Sequence, residues 1–216
     1  METINIICFG FGQVAKSFIK KTYSKNLKIK LTVTSRDKSG KKKFGNLDYQ
    51  SFQFSEHSFD QKLIENLKSS DHILVSIAPF KGEDIVIKNF QNNLNNSEKK
   101  WITYLSATSV YGNHNGKWVN ENSDTKPTSS NGIDRLNAEK SWLDVAEKKS
   151  LPLQIFRLSG IYSNQNNTLA RLKAGKAKII DKKNQFFSRI HVEDIANILF
   201  KSLQNFKAKE IYNISD

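Results

Sequence analysis

Cysteine occurs once in 216 residues, at Cys8. A lone thiol excludes an intrachain disulfide framework and a thiolate zinc site, and it favours a reducing compartment. No apolar run approaches the roughly 18 residues of a membrane-spanning helix. Met1 leads almost directly into the strand-like Ile4-Asn5-Ile6-Ile7, which leaves no room for a signal peptide. The expectation is a soluble chain in the cytoplasm with no membrane partner. Arginine is scarce too. Of 34 basic residues set against 21 acidic ones, only Arg36, Arg135, Arg157, Arg171 and Arg189 are arginine, and the formal charge is +13. Base-edge readers and phosphate clamps use the planar guanidinium fork. No nucleic-acid motif accompanies the lysine runs at 41–43, 99–100, 148–149 and 182–183. They read as a solvated face, and nucleic acid is a disfavoured partner. The field still draws anionic ligands over about one Debye length. Apolar residues make up only 38%, yet a chain of this length buries roughly 70% of its unfolded surface.

What is present is alternation. Apolar runs alternate with helical patterns, as in a parallel sheet covered by helices. Ile4 to Phe9 is a continuous apolar run ending in Gly10, as in a central strand buried on both faces. Val14 to Tyr23 reads as a helix, Ile29 to Thr34 as a second strand and Tyr49 to Phe54 as a weaker third. A helix near Phe59 to Leu67 precedes a strand from Asp71 to Ile77 that Pro79 stops. A helix around Glu83 to Leu94 leads to a fifth strand, Trp101 to Leu105. The stretch from Gly112 to Gly132, rich in Asn, Ser, Thr and Gly, predicts a long loop of the kind that carries function. Ile133 to Lys149 is helical, Leu153 to Leu158 extended, Leu169 to Ala174 a short helix, Phe187 to Val192 extended and Glu193 to Leu203 helical, with a last strand at Ile211 to Ile214. The fold class is α/β, a single doubly wound parallel sheet over residues 1–216, with residues 159–190 as a partial substrate-region insertion.

Gly10-Phe11-Gly12-Gln13-Val14-Ala15 fits G-x-G-x-x-G/A between a buried strand and a helix. Gly10 permits the tight turn, Gly12 lets backbone approach a pyrophosphate, and Ala15 allows close helix–strand packing. Gln13 and Val14 open the helix whose amides face the phosphates. The alternative is a purely conformational turn. The second strand ends in Thr34-Ser35-Arg36-Asp37. An acidic residue there binds the ribose 2′-hydroxyl of NAD, whereas arginine accommodates the 2′-phosphate of NADP. Ser35 and Arg36 favour NADP, and Asp37 keeps NAD open. Ser76, Ile77, Ala78 and Pro79 end the fourth strand at the carboxyl edge where ligands lie, and are expected along the ribose. His72, at the strand's other end, reads as structural. His57 and His114 show no metal spacing, and no metal is expected.

Three later segments carry a resemblance. Leu105-Ser106-Ala107-Thr108-Ser109-Val110-Tyr111-Gly112 resembles the S-S-x-x-V-Y-G segment of extended and atypical short-chain dehydrogenase/reductases, the NAD(P)-dependent epimerase/dehydratase-like proteins. Phe156-Arg157-Leu158-Ser159-Gly160-Ile161-Tyr162 is similar to their sixth-strand segment, and Arg189-Ile190-His191-Val192-Glu193-Asp194-Ile195-Ala196 to their R-I-H-V-D-D-I-A stretch. The resemblance implies a Rossmann fold and a nicotinamide cofactor. It places Ser106 along the ribose, Leu158, Ser159, Gly160 and Ile161 near the nicotinamide, and a small-molecule substrate, anionic in one reading. It is compatible with a homodimer. Active members rely on Ser/Thr, Tyr and Lys, and those positions fall here on Ala107, Asn131 and Arg135. Asn131 cannot titrate, and arginine stays protonated. Ser106, Thr108, Tyr111 and Arg135 are the candidate replacements. The implied function is an NADP-binding oxidoreductase or epimerase-like protein. A non-catalytic NADP-binding sensor or assembly partner is the alternative, and a lysine-rich nucleic-acid binder a third. Arg157, inside a strand, demands a partner, and Asp194 is expected to cap the following helix. Extended members continue beyond the point where this chain stops, so a small or truncated C-terminal substrate region is expected.

Overall fold

Ile7 and Phe9 point to one side of the first strand, Ile6 and Cys8 to the other, and all four are buried. That two-sided burial makes the strand central, with helices on both faces. The computed structural model describes residues 3–95, 99–176 and 186–216. In chain order the elements are β1 (Ile4–Phe9), α1 (Gln13–Ser24), β2 (Ile29–Ser35), β3 (Gly40–Phe44), β4 (Leu47–Gln53), α2 (Lys62–Ser69), β5 (His72–Val75) and α3 (Ile85–Phe90). They continue as β6 (Trp101–Ala107), α4 (Ser130–Lys149), β7 (Leu153–Leu158), β8 (Gly160–Tyr162), α5 (Thr168–Lys173), β9 (Arg189–His191), α6 (Val192–Gln204) and β10 (Ile211–Ile214).

The main sheet runs β10-β7-β6-β5-β1-β2-β4-β3. Every neighbouring pair is parallel except β3 with β4. Strand order reverses between β1 and β5, which opens a crevice at their carboxyl ends. Side chains of α2, α3 and α4, among them Leu63, Phe90 and Trp142, fill one face. Phe18 and Ile19 of α1 and Ile195 and Leu199 of α6 fill the other. The indole of Trp101 stacks on Phe18 at 5.8 Å and donates from Nε1 to Ser202 Oγ at 3.0 Å, tying the sheet to both α1 and α6. Beside the main sheet, β8 and β9 form a separate parallel pair.

The doubly wound sheet is as the sequence pattern predicts, with one addition. The lysine run at 41–43 is solvated as expected, with Lys41 and Lys43 exposed, but it also forms the middle of β3, paired antiparallel with β4 through a turn at Gly45, whose φ is +59°. A Gly-Asn pair between two extended runs is a hairpin signal. Helix boundaries shift where caps act. Asp84 accepts from the Val86 and Ile87 amides, so α3 starts at Ile85, and Ser129 accepts from Gly132, so α4 starts at Ser130. The cap of α6 is His191, whose ring accepts from the Glu193 amide, rather than Asp194. Asp194 lies inside the first turn, where it complements the helix dipole. Of the expected 159–190 insertion, residues 177–185 lie outside the described residues, as does the lysine pair at 182–183. Among the described residues no helix is long and apolar enough to cross a membrane.

Cys8 is sealed in β1, and burial pushes its thiol well above the usual range. The reactive thiolate is therefore scarce. A maleimide at pH 8 is expected to leave Cys8 unlabelled in the native protein and to modify it stoichiometrically in guanidinium. Rapid native labelling would contradict the buried placement.

Candidate functional site

The turn after β1 takes its shape from Gly10, whose φ is +87°. A Cβ at Gly10 would lie 2.9 Å from Ser76 Oγ and 3.0 Å from Ile77 Cγ1, so no side chain fits. The Gly10 amide donates to Thr34 Oγ1 at 2.9 Å, and Ser76 Oγ donates to the Phe9 and Gly10 carbonyls at 3.0 and 3.1 Å. Three strands thus hold one turn. Gly12, the N-cap of α1, supplies no side-chain cap, and the first turn contains no acid. A Cβ on Gly12 would meet nothing within 4 Å. The amides at the start of α1 face open space with the positive end of the helix dipole behind them, the arrangement that binds phosphate.

A pocket of about 300 Å³ opens there, lined by Gly10, Gly12, Gln13, Val14, Ala15, Ser76, Leu105, Ser106, Ala107, Arg135, Leu158, Ser159 and Ile161. The hydroxyls of Ser106 and Ser159 are buried and lack a hydrogen-bond partner among the described residues. An orphaned buried hydroxyl costs about 1–3 kcal/mol, so each is a place for a polar ligand atom. Open glycine backbone, a helix start without a side-chain cap and two unspent hydroxyls in one cleft fit a dinucleotide. Gly10, Gly12, Gln13 and Val14 would hold its pyrophosphate, and Ser106 and Ser159 its polar ribose and nicotinamide groups. A wider dish of about 510 Å³, lined by Tyr23, Lys28 and Leu47 among others, lies at the amino ends of β1 and β2, away from the glycine turn.

Not every candidate reaches the pocket. Ile77 packs beside Gly10, Ala78 is exposed, Pro79 is half-buried, and none of the three lines the cleft. Gly160 lies beside the Arg189 guanidinium, which stacks over Phe187 at 4.9 Å from the ring centroid. Ser35 shares a hydrogen bond with Ser51 at 3.3 Å, and Arg36 next to it is exposed. Leu105, which sequence reasoning missed, joins the lining; alternation along a strand buried on both faces gave no reason to single it out.

The candidate replacements for the family triad separate in space. Ala107 and Arg135 line the pocket, while Asn131 is exposed in the first turn of α4. Arg135 Nη1 donates to the Leu105 carbonyl and, at 3.5 Å, to the Tyr104 hydroxyl. Burial pushes the Tyr104 phenol far up, so it stays neutral. Burial also raises the Asp84 carboxyl, against the amide hydrogen bonds that favour its ionised form. Thr108, half-buried in a short 3₁₀ turn, does not line the pocket. Nor does Tyr111. Its hydroxyl accepts from Arg157 Nη1 at 2.8 Å and donates to Asn213 Oδ1 at 2.7 Å. Arg157 finds the partner its burial requires in Glu139, which it meets with Nε at 3.1 Å and Nη2 at 2.7 Å. Glu121 closes the network by accepting from the Asn213 amide at 2.7 Å. Trp118, inside the long loop, is fully exposed, whereas Trp142 of the following helix is core.

The model of the NAD dependent epimerase/dehydratase family matches residues 88–215. Among curated proteins none matches the chain. A functionally unknown conserved protein from Silicibacter pomeroyi DSS superposes with a TM-score of 0.82 at 29% identity, over 98% of this chain and 72% of that one. UDP-N-acetylglucosamine 4-epimerase from Bacillus cereus gives 0.73 at 17% identity, over 99% and 76%. UDP-glucuronic acid 4-epimerase from Bacillus cereus, in complex with NAD, gives 0.77 at 16%, over 98% and 78%.

Proposed function

This chain belongs to the NAD dependent epimerase/dehydratase family, and on that premise we propose that it binds a nicotinamide dinucleotide, NADP in preference to NAD, and acts on a small anionic molecule as an oxidoreductase or epimerase-like protein. The observation that carries the reading is the pair of orphaned hydroxyls, Ser106 and Ser159, in one cleft with the uncapped start of α1. When bound, the dinucleotide supplies hydride transfer at its nicotinamide ring. Arg135, the only charged side chain among the described residues that line the pocket, holds a fixed positive charge beside Ser106 and Ala107. It attracts an anion and orients it, but it cannot take up or release a proton.

That last property favours a second reading. No phenol, imidazole, amine or carboxylate is among the described residues lining the pocket, so the protein-borne proton transfer of active family members has no obvious donor. A non-catalytic NADP-binding sensor or assembly partner follows if no turnover is found. Turnover with a panel of anionic carbonyl compounds and sugar nucleotides, lost in Ser106→Ala, supports the enzyme. Dinucleotide-dependent capture of a partner without turnover supports the sensor.

Calorimetric titration with NADPH and NADH tests what both readings share. Arg36 is exposed at the end of β2 and makes no ion pair among the described residues. Arg36→Ala is expected to weaken NADPH binding by about tenfold, the loss of a charge-assisted contact to the 2′-phosphate, and to leave NADH unchanged. Absence of binding to either dinucleotide would refute the assignment.

A further inference from the structure

The hairpin of β3 and β4 lies outside the segment that the family model matches, yet it packs directly on the glycine turn. Phe11, between Gly10 and Gly12, meets Phe44 of β3 edge-on at 5.4 Å and Tyr49 of β4 at 5.2 Å. The connection from β2 into this hairpin, residues 36–39, is tied at both ends. Ser35 Oγ meets Ser51 Oγ at 3.3 Å, and Ser39 Oγ accepts from the Gln53 amide at 2.9 Å. Asp37, inside that connection, accepts at Oδ2 from Lys42 Nζ of β3 at 3.1 Å. Lys42 stands opposite Tyr49 in the strand register, so the β ladder sets its position. Arg36 and Lys38, on either side of Asp37, are exposed and make no ion pair among the described residues.

We propose that Lys42 selects the 2′-phosphorylated dinucleotide over its unphosphorylated form by engaging Asp37. This rests on the reading of the cleft as a dinucleotide site. A carboxylate at the end of the second strand is the group that accepts from a ribose 2′-hydroxyl, and the same carboxylate repels a 2′-phosphate. Left free, Asp37 would do both and would offset the charge of Arg36 beside it. Paired with Lys42, its charge is partly offset, and Arg36 and Lys38 present a positive edge that the carboxylate opposes less. Lys42 is a positioning residue: it acts through Asp37 and not by contact with the cofactor. The pair is solvent-exposed, with the two side chains 36% and 76% accessible, so it biases the choice rather than dictating it.

The test is titration of wild type, Lys42→Ala, Asp37→Asn and the double variant with NADPH and with NADH, each checked for an unchanged melting temperature. Lys42→Ala is expected to lower the ratio of NADPH to NADH affinity by about five- to tenfold, the scale of one exposed charge coupling acting on a doubly charged phosphate. Asp37→Asn should keep or raise the ratio. The double variant should return to within about twofold of wild type, because without the carboxylate Lys42 has nothing to restrain. Equal loss of both affinities in Lys42→Ala, or a ratio that does not move while wild type binds NADPH, overturns the selector and leaves the dinucleotide site standing. A wild type that prefers NADH also overturns it. Failure of wild type to bind either cofactor overturns the underlying reading, and this one with it.

Discussion

Gly12→Asp is expected to fold with wild-type stability or slightly better and to lose affinity for NADPH by at least about hundredfold. The two halves of this result come from one geometric fact. Gly12 adopts φ −80° and ψ −169°, ordinary extended backbone, and its missing side chain would meet nothing within 4 Å. Aspartate is among the preferred N-cap residues, and α1 begins without a side-chain cap. The new carboxylate would accept from the first-turn amides and sit where a pyrophosphate must approach, adding repulsion to the loss of two charge-assisted hydrogen bonds at about 1.5–3 kcal/mol each. Gly10→Ala is the opposite case. With φ at +87° and Ser76 Oγ 2.9 Å from the new methyl, it loses about 1–3 kcal/mol of stability before any ligand is added. Calorimetric titration beside a thermal melt separates the two. Undiminished NADPH binding by Gly12→Asp would remove the pyrophosphate from this turn.

Glu139→Ala should lower the melting temperature by about 10 °C. Glu139 and Arg157 are 1% and 5% exposed and bonded through both Nε and Nη2. Removing the carboxylate leaves a buried guanidinium with only Tyr111 and the Glu121 carbonyl for company, a change that costs about 3–5 kcal/mol. For a chain of this size each kcal/mol moves the midpoint by about 2–4 °C. Replacing both partners by methionine is expected to recover most of the loss, because the desolvation cost leaves with the charges. Differential scanning calorimetry of the single and double variants checks both statements, and a melt within about 2 °C of wild type for Glu139→Ala would contradict the buried pair. The same network explains why Tyr111 is a poor proton donor for the cleft: its hydroxyl is already spent on Arg157 and Asn213.

Much of this was legible in one dimension. A strand buried on both faces, a glycine turn and an amphipathic helix are local statements, and β1, Gly10 to Ala15 and α1 appear where hydrophobic period and turn chemistry put them. The positive φ that asks for glycine at position 10 is local too, whereas the close approach of Ser76 and Ile77 is not. Harder to see was β3. Three consecutive lysines carry no apolar face, so only the Gly-Asn turn and the partner strand mark them as extended; the pairing is stabilised by a neighbour and by Phe44 packing on Phe11. Arg157 announced that it needed a partner without saying which, since Glu139 lies 18 residues away on another element.

Residue type and spacing by themselves determined the doubly wound class and the G-x-G-x-x-A turn between strand and helix, and the family resemblance added that its titratable triad positions fall on Ala107, Asn131 and Arg135. These depend on chain-local periodicity and on what a side chain can chemically do. Only the tertiary structure decided which polar groups are spent and which are free. Tyr111 is consumed by a network, Asp37 is claimed by Lys42 of the neighbouring strand β3, and Ser106 and Ser159 are left buried in one cleft without a hydrogen-bond partner among the described residues. Hydrogen-bond capacity belongs to a residue, but its use depends on neighbours that only folding brings within about 3 Å.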